Sequence, residues 1–261
     1  MNKLVSLILA LCLTLSCTAV FAEDAPAGEV TVKTGVSWND TWGLTVANIV
    51  EQDGQVQKIL VDVVRDGLSS KEKYNDYGIG PVSSLGKEWW EQVSYFEDWV
   101  RDNGVENVAY DDDGHATVPD IISGATINIA DFTAAIQNAE AGITEANGLT
   151  VKTGVSVSPT WGPSVANVIL KDGEIVKILV DVVRDGLSSK EKYDNYGIGP
   201  VSSLGKDWWE QVKAYEEWVA ANGADQVECD DDGHAMNPDL VSGATINVSD
   251  FTAAVLDALS K

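Results

Sequence analysis

The chain is poor in cysteine, histidine and positive charge. It has three cysteines and two histidines in 261 residues, and 17 Lys and Arg against 41 Asp and Glu, a net charge of −24. So acidic a chain repels phosphate backbones and anionic headgroups, which excludes nucleic-acid binding. Cys12 and Cys17 both lie near the N-terminus, so Cys229 is the only thiol in the rest of the chain. A lone cysteine closes no internal disulfide, and the protein has to be held by its apolar cores. No apolar run beyond the first residues approaches the length that spans a bilayer.

What is present begins with the N-terminus. Lys3 precedes an apolar run from Leu4 to Leu15, and Val20-Phe21-Ala22 ends in a small residue before Glu23. This is the layout of a signal peptide over residues 1–22, bacterial in style, and it predicts export to the periplasm or cell surface. Two processing routes stay open. One is cleavage after Ala22, which removes Lys3 and no acid and leaves the mature chain one unit more negative. The other is lipid anchoring at Cys17, where Ser16 suits a lipid-modified cysteine and Thr14 does not.

The remainder is written twice. Residues 31 to 136 align with 150 to 255 at a constant offset of 119 without a gap. Lys58 to Tyr74 is identical to Lys177 to Tyr193, and Tyr77 to Lys87 to Tyr196 to Lys206. The period is that of a whole small domain rather than a solenoid repeat. Two tandem domains are expected, at 30–142 and 149–261, joined by a short polar segment from Ile143 to Gly148. The thiol of Cys229 has Tyr110 as its counterpart, so nothing common to both copies depends on it.

Each copy opens with β-branched runs. Thr31 to Ser37, Thr45 to Val50 and Val56 to Val64 read as strands, with Asp53-Gly54 and its copy Asp172-Gly173 as hairpin turns. The alternation at Val61, Asp62, Val63, Val64 and Arg65 reads as a strand with one buried face. A polar loop from Asp66 to Ser83 is long enough to close over something. A helix from Ser84 to about Asn103 follows, with Ser84 as N-cap and Leu85, Trp89, Val93, Phe96 and Val100 on one apolar face. That stripe reads as core. Trp90 and Trp99, with copies Trp209 and Trp218, lie off it and either cover a sheet edge or face a ligand. A shorter helix starts near Asp131. The fold class is α+β: in each copy an antiparallel sheet packed with helices.

Between the helices lie Asp111-Asp112-Asp113-Gly114-His115 and then Pro119-Asp120-Ile121-Ile122-Ser123-Gly124-Ala125-Thr126, repeated as Asp230 to His234 and Pro238 to Thr245. The acids lack the alternate spacing and final Glu of a calcium loop, so a solvated turn is expected and no metal site. The paired histidines are available for proton transfer or for a structural turn. No nucleophile-base-acid arrangement is legible, and no catalytic residue is assigned. In Ser-Gly-Ala-Thr the small residues leave the backbone open to close approach, and the threonine offers a hydroxyl that can be esterified.

The segment Asp120 to Thr126 resembles the flavinylation motif of the FMN-binding domain family. That family includes the C subunit of the sodium-pumping NADH:quinone oxidoreductase, the corresponding Rnf subunit, and exported proteins with two such domains used in electron transfer. The stretch from Tyr77-Gly78-Ile79-Gly80 through Gly86-Lys87, and Trp89 to Val100, also resemble exported members, so the likeness covers most of each repeat. The resemblance implies FMN linked through its phosphate to Thr126 and Thr245 by a flavin transferase. It implies that Asp120 and Asp239 serve recognition by that transferase. Ser123, Gly124 and Ala125, with Ser242, Gly243 and Ala244, would shape the two cofactor-binding loops. Many members place a hydroxyl residue two positions after the attachment threonine, where this chain has Asn128 and Asn247.

The function expected on this basis is an extracytoplasmic electron carrier with membrane or extracellular redox partners, a carrier rather than a free-standing enzyme. The alternative is a cell-surface binding or interaction module that keeps the fold without flavin. A reductase with its own small substrate would need a catalytic partner domain that is not legible in the chain.

Overall fold

The computed structural model describes residues 28–65, 67, 78–184, 186–188 and 197–261. The signal segment, Cys17 and most of the loop expected between Asp66 and Ser83 lie outside the described residues.

The first half begins with a three-stranded antiparallel meander: β1 Val30–Asn39, β2 Gly43–Gln52 and β3 Gln55–Val64. Asp53 and Gly54 join β2 to β3 with φ of 52° and 74°. Positive φ at both central residues is the type I′ geometry whose twist matches the flanking strands. Helix α1 (Trp89–Asn103) then packs on β3. It starts later than the apolar stripe predicts. Glu88, not Ser84, is the N-cap, in a capping box where Glu91 bonds back to the Glu88 amide (2.8 Å). Residues 79–86 form turns instead, and Gly86 has a φ of 66° that ends any helical run. The buried Glu97 carboxylate fixes α1 to the sheet by accepting the Val61 amide hydrogen (2.5 Å).

A one-turn helix α2 (Pro119–Ile122) and helix α3 (Ala130–Ala141) complete the half. Asp131, expected as N-cap, sits instead inside the first turn of α3, and the cap position belongs to Ile129. Helix α3 lies across β1 and β2. It comes so close at Gly35 that an added Cβ would stand 1.9 Å from the Ala139 nitrogen. The core between sheet and helices holds Ala47, Ile59, Val61, Phe96, Ile121 and Phe132 among its buried side chains.

The second half repeats this order. Strands β5 (Leu149–Ser158), β6 (Gly162–Lys171) and β7 (Glu174–Val182) precede α4 (Trp208–Asn222), α5 (Pro238–Val241) and α6 (Ser249–Ser260). The segment between the halves is itself structured. A short strand β4 (Glu145–Ala146) pairs with the start of β5, so the second sheet has four strands in the order β4-β5-β6-β7.

Both sheets bury their second face as well. Alternate residues of β2 turn away from the helices, and Leu44, Val46 and Val50 there are fully buried. Val36, Leu44 and Val46 cluster with Val151, Ile169 and Leu179 of the other half, and Val50 and Leu60 cluster with Val165 and Val183. Between the two clusters Thr34 and Thr153 bond hydroxyl to hydroxyl (2.7 Å), each beside the amide of its own asparagine, Asn48 or Asn167. The layers therefore run helices, sheet, sheet, helices. This corrects the expectation that β3 has one buried face: Val64 packs into the contact between the sheets. No helix of the described residues is long and apolar enough to cross a membrane.

Candidate functional site

Each half has a cavity between its sheet and its helices, about 320 Å³ in the first and about 240 Å³ in the second. The first has apolar walls of Trp42, Val63, Ile79, Trp89, Ile127 and Phe132. Polar groups enter from Thr45, Arg65, His115, Asn128 and Asp131. Every one of these positions has its counterpart 119 residues later in the second cavity, and the single change of residue type is Thr45 to Ser164. Walls of this kind, mostly apolar and aromatic with a few convergent polar groups, are those of a small-molecule site.

The aromatic groups are held firmly. Trp89 stands edge-on to Phe132 with centroids 6.1 Å apart, and Trp208 to Phe251 at 6.2 Å. Such pairs fix ring orientation beyond what burial alone does. At the mouth the Arg65 guanidinium lies 5.2 Å from the Trp42 ring centre, and Arg184 lies 5.1 Å from that of Trp161. A half-exposed cation over a tryptophan face gains from the ring quadrupole and leaves its charge at the entrance. Burial raises the Asp131 carboxyl above the ordinary range, against a hydrogen bond involving Asn39 that lowers it. In the second cavity the Ser164 hydroxyl is fully buried and finds no hydrogen-bond partner among the described residues. An orphaned buried hydroxyl costs stability unless something else meets it.

The motif threonines stand beside these cavities. Thr126 and Thr245 immediately precede Ile127 and Ile246, which line them. Both are partly exposed. Gln92, fully buried on α1 three residues after Trp89, accepts hydrogen bonds from the Thr126 amide (2.8 Å) and hydroxyl (3.2 Å). Gln211 holds Thr245 at the same two distances. Sequence reasoning missed both glutamines. The available signal was an uncharged polar residue flanked by Trp89 and Val93 of the apolar stripe.

The rest of the motif forms the turn that leads to the threonine. Asp120 and Asp239 are exposed in the first turns of α2 and α5. Ser123 ends α2 and bonds through its hydroxyl to the Asp120 carbonyl (2.7 Å), as Ser242 does to Asp239 (2.7 Å). Ala125 and Ala244 are fully buried in the cores, and the Ala125 amide bonds to the Ile121 carbonyl (2.8 Å). The bare face of Gly124 is not open to a ligand. An added Cβ there would lie 2.2 Å from the Tyr95 ring, and at Gly243 it would lie 2.8 Å from the Ala214 methyl. On its Cβ side each glycine packs the loop on α1 or α4.

The acidic segment is a turn. Asp111 accepts from the amides of Asp113 (3.1 Å) and His115 (2.9 Å), and Tyr110 pairs with Ala116 across it. No group of His, Cys, Asp or Glu that could hold a metal ion occurs among the described residues. Asn128 closes this turn from the other side, donating to the Asp113 carbonyl (2.6 Å) and accepting from the Ala130 amide (3.1 Å). Asn247 does the same with Asp232 (2.6 Å) and Ser249 (3.2 Å). The asparagine two positions after each threonine thus ties the acidic turn to the start of the last helix. His115 and His234 line the cavities, with Nδ1 3.9 and 3.5 Å from the preceding aspartates.

The off-stripe tryptophans fall elsewhere. Trp99 and Trp218 pack partly buried against the cores, and none of Trp90, Trp99, Trp209 and Trp218 is among the residues lining these two cavities. The cavity tryptophan on α1 is Trp89, read from its spacing as core, and its partner is Trp42 of the β1–β2 turn. Compared with family models, curated proteins and solved structures, the chain matches none.

Proposed function

We propose that this chain is an exported electron carrier built from two tandem FMN-binding domains, each holding one FMN through a phosphoester to Thr126 or Thr245. The observation that carries this reading is the repetition of one arrangement: a cavity with aromatic walls beside a threonine whose hydroxyl is held in place. A flat heterocycle with a polar edge suits such walls. Trp42, Trp89 and Phe132 would flank the ring, Arg65 would face its electron-rich edge, and the Ser164 hydroxyl would gain the partner it lacks among the described residues of the second site. The exposed positions of Asp120 and Asp239 suit recognition by a transferase.

FMN, when bound, supplies one- and two-electron transfer, while the protein orients and tunes it. The half-exposed arginine at each mouth places a positive charge near the ring. The apolar walls exclude water from one side of it. Export gives the covalent link its physical reason. A ligand held at micromolar affinity has about 8 kcal/mol of binding free energy and is lost on dilution, whereas an ester is not subject to that equilibrium. The domains would pass electrons between a membrane donor and an external acceptor.

The test is intact mass and in-gel flavin fluorescence of the chain produced with a flavin transferase. Two FMN adducts are expected, with Thr126→Ala and Thr245→Ala each removing one. A chain that stays colourless and unmodified overturns the proposal and leaves a ligand-binding module without flavin.

A further inference from the structure

Resting on that reading, we propose that Gln92 and Gln211 are positioning residues that hold the hydroxyls of Thr126 and Thr245 for esterification. A glutamine amide has two acceptor sites and two donor hydrogens. Gln92 uses all four. Its oxygen accepts the Thr126 amide and hydroxyl hydrogens, while its nitrogen donates to the Lys87 carbonyl (3.0 Å) and the Ser83 hydroxyl (3.2 Å). Gln211 repeats this with Lys206 (2.9 Å) and Ser202 (3.2 Å).

Saturation fixes the orientation. A flipped amide would set its NH₂ against the threonine N–H and its oxygen against the Lys87 carbonyl. Both glutamines are fully buried, so water offers no substitute partner. The threonine is thus held at two points, through backbone and hydroxyl, and its oxygen occupies one place relative to the cavity. In the esterification, threonine Oγ1 attacks the phosphorus of a flavin phosphoanhydride. The Oγ1–P bond forms, the P–O bond to the second phosphate breaks, and that phosphate departs with the electron pair. The hydroxyl proton passes to a base of the transferase. The amide oxygen is too weak a base to take it, so the glutamine orients and does not catalyse. After the reaction Oγ1 carries no hydrogen, yet the bond from the threonine amide remains and keeps the loop on its helix.

The two sites in one chain provide the control. The chain is exposed briefly to a flavin transferase and its flavin donor, and modified Thr126 and Thr245 peptides are counted by mass spectrometry. Gln92→Met should lower the Thr126 to Thr245 ratio roughly tenfold or more, since small misplacements of a reacting group cost that much. Gln211→Met should raise it by a similar factor. Gln92→Glu adds a readout that a merely structural role does not move. Its carboxylate cannot donate to the Lys87 carbonyl, but the protonated acid can, so the ratio should recover as pH falls. In the unaltered chain the transferase's own pH dependence cancels in the ratio. Should Gln92→Met fail to fold by circular dichroism, Gln92→Glu decides alone. Both threonines modified with an unchanged ratio in a folded variant overturns the inference and leaves the FMN proposal standing. Neither threonine modified in the unaltered chain overturns the FMN proposal itself.

Discussion

The two halves share one frame and differ in what backs the attachment loop. In the first, Tyr95 fills the space against Gly124, donates to the Asp120 carbonyl (2.9 Å) and meets the Ser123 hydroxyl (3.1 Å), with the Lys87 ammonium 5.1 Å from its ring centre. In the second, Ala214 stands there, and its methyl and the Leu240 carbonyl face Gly243. The cores exchange polarity in the opposite sense. Phe96 is purely apolar, whereas its counterpart Tyr215 is buried with its hydroxyl 3.0 Å from that of Thr252. Burial raises the Tyr215 phenol further above its already high range. The halves also differ where the first strand meets the last helix. The Val36 amide bonds to Ile143, past the end of α3, whereas the equivalent Val155 amide bonds to the Asp257 side chain within α6 (2.9 Å). What stays constant is the threonine, its glutamine and the apolar part of the cavity wall, while Thr45 becomes Ser164 among the polar groups of that wall. The remaining variation falls on groups that support them from behind.

Substitutions at equivalent positions test how far the two halves are alike. The largest effect should appear where the halves agree. Gly35→Ala and Gly154→Ala each push a methyl into the backbone of the last helix, within 1.9 and 2.1 Å of its nearest atoms. Each should cost about 3 kcal/mol, at the upper end for overpacking, read from urea unfolding. Unequal losses would show that the two cores are not equivalent. Next comes the loop. Gly124→Ala should cost about 2 kcal/mol against the Tyr95 ring, Gly243→Ala under about 1 kcal/mol. Adding Tyr95→Ala to Gly124→Ala should recover much of the loss as a positive coupling.

Tyr215→Phe should cost about 1 kcal/mol, one buried hydrogen bond. Phe96→Tyr offers Thr133 the partner that Thr252 already has, and its measured cost should be the smaller of the two. The smallest effect concerns pH. Burial raises the Asp131 carboxyl above the ordinary 3.8, so the folded chain binds its proton more tightly than the unfolded chain. That contribution is complete below 3.8 and is lost as pH rises through the folded value. Asp131→Asn should therefore raise Tm at pH 7, with the advantage vanishing in acid. A constant advantage at every pH would assign the effect to packing instead.

Much of the frame was legible because its signals are local. Strand runs at 31–37, 45–50 and 56–64 became β1, β2 and β3 with ends shifted by up to two residues. Asp53-Gly54 made the turn its residue types demand. The helix starts later than its apolar stripe because Ser84 lies among turn residues, Gly86 breaks the helical run and the Glu88–Glu91 capping box begins α1. The cavity was not legible, since its walls come from positions between 42 and 132 that no periodicity connects. Trp89 shows the limit clearly. Its spacing places it on the buried face of α1, and nothing in that spacing reveals that part of this face borders an open space. Gln92 is hidden for the same reason, because its importance lies in a partner 34 residues away.

Thr34 touches its own counterpart. A residue that does so lies where the two halves meet symmetrically, and the apolar clusters on either side of it exchange roles between the halves. This is the signature of a self-complementary patch, the kind that joins identical subunits into a closed pair. Here the hairpin at Asn147-Gly148 joins the partners in one polypeptide. Association of two separate patches depends on concentration, whereas the contact here is intramolecular. Selection can then alter Tyr95 without altering Ala214, a freedom that a symmetric dimer encoded by a single copy does not have.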